Sequence, residues 1–242
     1  MIARLPKDKY NRAIAGVQHL LKAGAVNHRT LENLLGFLSF CAKVVPLGRP
    51  FLRNLFNLLQ RLSHLHPHAI RSLSPAGRRD LLWWMTLLPQ WSWVFLGINP
   101  ARQKTIIHTD ASGIKGIGGW WESQAFSTCV LRNHRSKLID WKEAYAVVFA
   151  FAKWVHLWRG HTVIIMCDNV VVVNAINTRS VQGQTIDPLQ LLFLITAFYD
   201  IEIASEWLSL EDNWIADAVS HFEFKIADMF PQFQNSPSHC PC

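Results

Sequence analysis

Residues 104–121, with the sequence KTIIHTDASGIKGIGGWW, decide how the second half of the chain folds. The segment Lys104–Asp110 predicts a strand, Ser112-Gly113 predicts a turn, and Gly116–Trp121 predicts a second strand. A third candidate strand, Ala125–Leu131, follows after a short linker. Because short linkers join neighbouring antiparallel strands, we predict an antiparallel meander.

Two further strands and four helices are predicted downstream of the meander. Thr162–Cys167 is apolar and β-branched, and Ile201–Trp207 alternates in part, so each fits a strand. The predicted helices are Asp140–Trp158, Asn169–Asn177, Thr185–Tyr199 and Glu211–His221. The order βββ-α-β-α-α-β-α favours an α/β domain in which helices cover both faces of a mixed five-stranded sheet.

The first hundred residues predict helices throughout, and therefore a small all-α module. The four helices are Lys7–Lys22, a segment from the candidate N-cap Thr30 to Val44, Pro50–Leu65, and a segment that opens with Ser74-Pro75. The third helix carries a candidate buried stripe of Leu52, Leu55, Phe56, Leu59 and Leu62. A boundary at Gly97–Pro100 gives a helical module over 1–100, an α/β domain over 104–222 and a loose tail over 223–242.

Composition excludes one class of protein, and the charge distribution favours one kind of partner. Half of the 242 residues are hydrophobic and 17% are charged, which excludes a mainly disordered chain. Residues 1–100 contain 13 Lys and Arg residues and three acidic residues. Residues 101–242 contain 11 Lys and Arg residues and 14 acidic residues. A basic half favours a polyanionic partner, most often nucleic acid, and a solvated basic face without a partner is the alternative.

Basic residues recur at helical spacing in the first hundred residues. Arg49, Arg53, Asn57 and Arg61 follow one another four residues apart and so share one helix face. This stripe is a candidate contact for phosphates, with a solvated face as the alternative. The candidate nucleic-acid contacts of this module are Arg49, Arg53, Arg61, Arg78 and Arg79.

Cysteine usage and hydropathy predict the cellular location of the chain. Five scattered cysteines without a CxxC pair fit a reducing compartment, so we expect an intracellular location in the cytoplasm or nucleus. Every apolar run is far shorter than the roughly 18 residues of a membrane span, so no membrane partner is expected. His239-Cys240-Pro241-Cys242 resembles part of a metal site but has no upstream partner pair, which favours a frayed terminus.

Four carboxylates occupy positions that suggest one site. Asp110 ends the first strand of the α/β domain and Asp168 ends the fourth, so parallel pairing would bring both to the same sheet edge. Glu143 lies in the first turn of the helix between them, and Asp217 lies on the last helix. Four converging carboxylates repel one another unless cations lie between them. Magnesium suits such a site, and two ions roughly 4 Å apart are usual for phosphodiester cleavage.

Each acid also has a purely structural interpretation. Asp110 could start the Ser112-Gly113 turn, and Asp168 could cap the helix that follows it. Glu143 stands three residues after Asp140, which is the spacing of a capping box. Asp217 could be a surface residue on an amphipathic helix. The ordered set of four acids favours a common site over four separate coincidences.

Each of the four acids stands in a short segment: Thr109–Ser112 (TDAS), Lys142–Tyr145 (KEAY), Cys167–Asn169 (CDN) and Asn213–Asp217 (NWIAD). In this order, the four segments resemble the signature segments of retroelement ribonuclease H domains. The resemblance covers residues 104–222. It implies a ribonuclease H-like fold and an RNA–DNA hybrid endoribonuclease in which Asp110, Glu143, Asp168 and Asp217 hold two Mg²⁺ ions, with Mn²⁺ as an alternative metal. It also implies nucleic-acid contacts at Ser112, Asn169 and Asn213, and RNA selection through 2′-hydroxyl contacts.

The first hundred residues extend the resemblance. Ala3–Lys9 and the segments Leu34–Phe40 and Lys43–Leu52 resemble the thumb and connection of reverse transcriptases from DIRS-type retrotransposons. No tyrosine followed by paired aspartates is present, so the polymerase palm is missing. This resemblance implies a C-terminal piece of such a polyprotein, with a separate palm chain as a further partner.

The sequence also departs from the cellular enzymes of this class. The loop Leu208–Asp212 has no histidine, and Arg179 is the one basic residue in Arg179–Tyr199. A folded nucleic-acid-binding relic with weak or no cleavage is therefore the alternative function. A transposase of the same fold fits less well, because its acids occur in the order Asp, Asp, Glu and here the glutamate is second.

Overall fold

The computed structural model describes residues 2–45, 47–89, 93–95 and 102–223. The chain divides into two compact units, Met1–Pro100 and Ala101–Cys242. The predicted boundary at Gly97–Pro100, the tail from residue 224 onward and the His239-Cys240-Pro241-Cys242 segment lie outside the described residues. No helix in the described part of the chain is both long enough and apolar enough to cross a membrane.

Four α-helices dominate the first unit. They are α1 (Lys7–Ala23), α2 (His28–Cys41), α3 (Arg53–Ser63) and α4 (Pro75–Leu87), and a 3₁₀ turn at Arg49–Leu52 precedes α3. Gly24 ends α1 in the left-handed conformation with φ of 68°. The Ser74 side chain caps α4 by accepting from Gly77 N at 3.0 Å, as its sequence predicts.

The prediction of helices throughout misses two short ribbons in this unit. Strand β1 (Ile2–Arg4) pairs with β4 (Trp93–Phe95), and β2 (Ala25–Asn27) pairs with β3 (Ile70–Ser72), both antiparallel. Each strand has three residues, which is too short for an alternating pattern to be recognised in the sequence.

Two local predictions in the helical unit are wrong. The N-cap of α2 is Asn27, whose side chain accepts from Thr30 N at 2.9 Å, so Thr30 is inside the helix. In α3 the buried face contains Leu58, whereas Phe56 is 40% exposed. The face follows the helical spacing of Leu55, Leu58 and Leu62, and Phe56 lies about 100° around the axis from Leu55.

The described part of the second unit contains a five-stranded sheet. Its strands are β5 (Lys104–Ala111), β6 (Gly116–Trp121), β7 (Gln124–Cys129), β8 (Thr162–Cys167) and β9 (Glu202–Trp207). The spatial order is β7-β6-β5-β8-β9, with antiparallel pairing among the first three strands and parallel pairing of β5, β8 and β9. The predicted meander and the predicted mixed sheet are confirmed.

Helices flank this sheet on both faces. They are α5 (Ile139–Trp154), α6 (Val170–Thr178), α7 (Ile186–Phe198) and α8 (Trp214–Ser220). Trp121 of β6 contacts Trp154 of α5, whereas α8 lies against Gly118 of the same strand. Since residues 118 and 121 point to opposite faces of a strand, α5 and α8 cover opposite faces. The predicted α/β class is confirmed.

Candidate active site

Two strand ends form the base of the candidate site. The parallel register of β5 and β8 pairs His108 with Met166, so Asp110 and Asp168 lie two residues further along adjacent strands. Both therefore reach the carboxyl edge of the parallel strands, as the sequence predicts. Asp110 is 3% exposed, and Asp168 is half-buried.

Glu143 on α5 is held directly by the sheet. Its side chain is buried; Oε1 accepts from the backbone N–H of Ala111 at 3.1 Å, and Oε2 lies 3.9 Å from the Cys167 thiol. The N-cap of α5 is Leu138, which has no side-chain capping bond. Glu143 thus bridges α5 to the ends of β5 and β8, and the capping-box interpretation does not hold.

Side chains other than Asp110 and Asp168 close the turn after β5 and cap α6. The turn after β5 is closed by Ser112, whose hydroxyl accepts from Lys115 N at 3.1 Å. Helix α6 is capped by Asn169, whose side chain accepts from Val172 N at 3.1 Å. Neither turn closure nor capping therefore accounts for the carboxylates of Asp110 and Asp168.

Glycines in β6 let α8 approach the sheet. A Cβ added at Gly118 would collide with the backbone nitrogen of Ser220, and one at Gly116 would lie 2.7 Å from the Phe222 ring. Gly118 is the cross-strand partner of Asp110. The missing side chains therefore allow α8 to carry Asp217 to the end of β5.

The acids fall into two groups of possible cation ligands. Within each group, one ligand atom per residue lies within 4.8 Å of the others. The first group is Asp110, Asp217 and His221, and the second is Glu143, Cys167 and Asp168. The structure thus brings all four predicted acids into one region, together with His221 and Cys167, which sequence reasoning did not assign to the site.

Burial and mutual repulsion raise the pKa values of three of these acids. Burial, with the nearby charges of Asp168 and Asp217, raises the pKa of Asp110 to about 6, against the opposing effects of Ser220 and His221. Burial and the charges of Asp110 and Asp168 raise the pKa of Glu143 well above its usual value. Burial also raises the pKa of Asp168, and Asp217 adds to that effect. The cluster is therefore electrostatically costly when it is ionised without a cation.

A buried oxygen without a partner supports a cation at this position. Oδ2 of Asp110 has no hydrogen-bond partner in the described part of the chain, although the residue is 97% buried. Buried polar atoms normally have partners, so an orphaned carboxylate oxygen among other carboxylates calls for an explanation. Oxygen ligands of this kind suit hard divalent cations, and the residues present fit such an ion.

Polar side chains around the acids hold the surrounding backbone. Nδ2 of Asn213 donates to the carbonyl of Thr109 at 3.1 Å and ties the start of α8 to β5. Nδ2 of Asn169 donates to Asp140 Oδ1 at 2.9 Å. Ser112 and Asn213 are buried. Their nucleic-acid contacts, and those of Asn169, stay a prediction.

Two more residues of the site were missed by sequence reasoning. Lys142 is buried, and its Nζ donates to the carbonyl of Gly113, which fixes the turn after β5 next to Glu143. Trp207 is 56% exposed, and its indole N–H donates to the carbonyl of Asp168 at 2.9 Å. Lys142 could have been predicted as a site residue because it precedes Glu143 in the sequence. The contact of Trp207 depends on the position of a backbone carbonyl and has no sequence signal.

The predicted basic contacts lie in the first unit. Arg49 lies in the 3₁₀ turn before α3, so the predicted helix face does not include it. Arg53 and Arg61 lie on α3, and Arg78 and Arg79 lie on α4. Arg53 is half-buried and the other four are exposed. Their role with nucleic acid stays a prediction.

Comparisons with solved structures find ribonuclease H domains. One is the N-terminal RNase H domain of Rv2228c from Mycobacterium tuberculosis, which was solved as a fusion with maltose-binding protein. Its sequence identity to this chain is 17% and the TM-score is 0.40. The match covers 49% of this chain and 97% of that one. RNase H1 from Halobacterium salinarum NRC-1 is 14% identical with a TM-score of 0.39, covering 52% and 98%.

A longer match is the foamy viral protease-reverse transcriptase in complex with an RNA/DNA hybrid. It is 12% identical with a TM-score of 0.31, and the match covers 98% of this chain and 29% of that one. No protein-family model matches the chain, and no curated protein matches it. The strand order and the acidic cluster of this chain themselves define an α/β domain of ribonuclease H-like architecture with a candidate cation site.

Proposed function

We propose that the chain is an RNA–DNA hybrid endoribonuclease that derives from a DIRS-type retroelement reverse transcriptase. The observation that carries the proposal is the convergence of Asp110, Glu143, Asp168 and Asp217 at one sheet edge, with an orphaned oxygen on the most central acid. The four signature-like segments that contain these acids favour ribonuclease H chemistry over other hydrolytic reactions.

If the site held two Mg²⁺ or Mn²⁺ ions, they would supply activation of water and stabilisation of the leaving 3′-oxygen in phosphodiester hydrolysis. In this chain Asp110 and Asp217 would hold one ion, and Glu143 and Asp168 the other. The Ala111 N–H fixes one oxygen of Glu143 and so restrains the orientation of its carboxylate. Asn213 restrains the helix that carries Asp217.

Substrate binding is proposed to use both units. The basic helices of residues 1–100 would contact phosphates through Arg49, Arg53, Arg61, Arg78 and Arg79. In the second unit, Trp207 presents an exposed ring while its N–H is anchored to the carbonyl of Asp168. A ring restrained in this way can stack on a base or sugar next to the site. The module over 1–100 would act as thumb and connection, with a polymerase palm as its partner.

A nucleic-acid-binding relic with weak or no cleavage is the second candidate. The favouring observation is that Ser112 and Asn213 are buried, and that the Ser112 hydroxyl and the Asn213 Nδ2 are already hydrogen-bonded within the protein, although Asn213 Oδ1 has no partner among the described residues. This leaves fewer polar groups free to align a scissile phosphate. Binding would then depend on the basic unit, and the acids would be retained without turnover.

A substrate panel separates the two candidates. Equal lengths of labelled RNA–DNA hybrid, duplex RNA and duplex DNA are incubated with the full chain in Mg²⁺, and binding is measured in EDTA. The nuclease predicts cleavage of the RNA strand of the hybrid alone. Binding to the hybrid without cleavage of any strand, in Mg²⁺ or Mn²⁺, would replace the nuclease with the relic.

A further inference from the structure

His221 is the one nitrogen donor in the two groups of candidate ligands described above. It follows the last residue of α8 and stands four residues after Asp217, so both lie on one helix face. One ring nitrogen lies within 4.8 Å of a carboxylate oxygen of both Asp110 and Asp217. The side chain is 30% exposed, so the ring is also open to an ion arriving from solvent.

The His221 ring lies against Asp217 through its Nδ1 atom. Nδ1 of His221 lies 2.9 Å from the backbone carbonyl of Asp217. Nδ1 also lies 3.2 Å from Oδ1 of the Asp217 side chain. A histidine that binds a metal uses one ring nitrogen as the ligand, and its other N–H is commonly held by a carbonyl or carboxylate.

A second, independent observation points to a ligand at the same place. Oδ2 of Asp110 is buried and has no partner in the part of the chain that the structure describes. An imidazole nitrogen, a half-exposed carboxylate and an orphaned carboxylate oxygen together make a mixed nitrogen and oxygen donor set. Magnesium takes oxygen ligands almost alone, whereas transition-metal cations also accept imidazole.

We propose that His221 is an imidazole ligand to the cation held by Asp110 and Asp217, and that it makes this position favour Mn²⁺ and other transition-metal ions over Mg²⁺. The inference rests on the proposed function, because it takes both carboxylates as ligands. The group of Glu143 and Asp168 has no histidine among the described residues. The two cation positions are therefore chemically unequal, and one of them binds Mn²⁺ more tightly.

Manganese itself is the probe. Mn²⁺ is titrated into the full chain and its free signal followed by electron paramagnetic resonance, and pulsed measurements then detect a directly coordinated ¹⁴N nucleus. The expected result is Mn²⁺ binding with nitrogen coupling in the wild type. His221→Gln should lose the coupling and bind Mn²⁺ at least about tenfold more weakly, with Mg²⁺ binding changed far less. His156→Gln, at an exposed histidine after α5, is the matched control and should retain both.

The outcomes separate this inference from the proposed function. Mn²⁺ binding that is lost in Asp110→Asn but shows no nitrogen coupling in the wild type would overturn the role of His221 and leave the acidic site intact. Nitrogen coupling that survives in His221→Gln would also overturn it. Mn²⁺ binding that does not depend on Asp110 would overturn both proposals. The wild-type spectrum decides the question even if the His221→Gln variant fails to fold.

Discussion

The backbone N–H of Ala111 donates a hydrogen bond of 3.1 Å to Oε1 of Glu143. This bond connects the end of β5 to the first turns of α5 at the carboxylate itself. It satisfies one oxygen of Glu143, while the other lies beside the Cys167 thiol at 3.9 Å. The carboxylate is thus restrained by the two strands whose ends carry Asp110 and Asp168.

The first prediction concerns Glu143→Gln. Glutamine keeps an oxygen that accepts from Ala111, so the link between β5 and α5 survives while one negative charge is removed. We expect hybrid cleavage to fall by at least about a hundredfold, since a charged cation ligand is lost. The melting temperature without metal should be unchanged or higher. The control is Glu122→Gln, because Glu122 lies in the turn between β6 and β7. A variant that melts lower and cleaves normally would remove Glu143 from the site.

The second prediction is a pH dependence of stability. Because burial raises the pKa of Asp110 from 3.8 to about 6, the folded state binds a proton more tightly than the unfolded state. The stability contributed by this group is complete below pH 3.8 and is lost as pH rises through about 6. The shift corresponds to about 3 kcal/mol.

Asp110→Asn should therefore be more stable than the wild type at pH 7.5 in EDTA, by about 1 to 3 kcal/mol, and the difference should shrink as pH falls toward 4. Denaturant unfolding at a series of pH values measures this. Divalent metal should stabilise the wild type more than the variant, because the variant has lost one carboxylate ligand of one of the two proposed ions. A variant less stable than the wild type throughout would contradict the electrostatic account of this cluster.

The third prediction tests the close packing of α8. Gly118→Ala puts a methyl group where Ser220 and Val219 already lie, so α8 must move away from β6. We expect a loss of about 1 to 3 kcal/mol in unfolding free energy and a large loss of cation binding, because Asp217 moves with the helix. Gly113→Ala is the control, since no atom lies within 4 Å of the added carbon. Equal metal affinity in both variants would show that the position of α8 does not limit the site.

The fourth prediction concerns the basic stripe. Replacing Arg49, Arg53 and Arg61 with alanine should weaken hybrid binding and make the slope of log affinity against log salt shallower by up to about three. Alanines at the exposed residues Lys7, Lys22 and Arg29 remove the same charge elsewhere in the unit and serve as control. A slope reduced equally in both triple variants would mean that net charge, and not this face, binds the phosphates.

The sequence predicts the sheet and its acids better than the surroundings of the acids. Asp110 and Asp168 follow β-branched runs, so their strands and their shared edge could be predicted from local pattern. The position of His221 beside Asp110 depends on how α8 lies over Gly118, which is a tertiary contact between residues about a hundred positions apart. Spacing alone links His221 to Asp217, but nothing local links it to β5.

The helical unit shows the same limit. Asp80 is completely buried, and its carboxylate accepts from both the backbone and side-chain nitrogens of Asn54 at 3.0 Å. Asp80 is a single acid in a basic segment, and no local sequence pattern predicts that its carboxylate binds Asn54. The three-residue ribbons are likewise set by pairing with distant segments and not by their own pattern.

The most direct test is the rate and chemistry of hybrid cleavage by the wild type and by single variants of the four acids. We predict Mg²⁺-dependent cleavage of the RNA strand that leaves a 3′-hydroxyl, abolished by EDTA and by Asp110→Asn, and reduced by at least about a hundredfold in Glu143→Gln, Asp168→Asn and Asp217→Asn. The control Glu122→Gln should cleave at the wild-type rate. Cleavage that persists in EDTA with 2′,3′-cyclic phosphate ends, or an Asp110→Asn variant that cleaves like the wild type, would contradict the account.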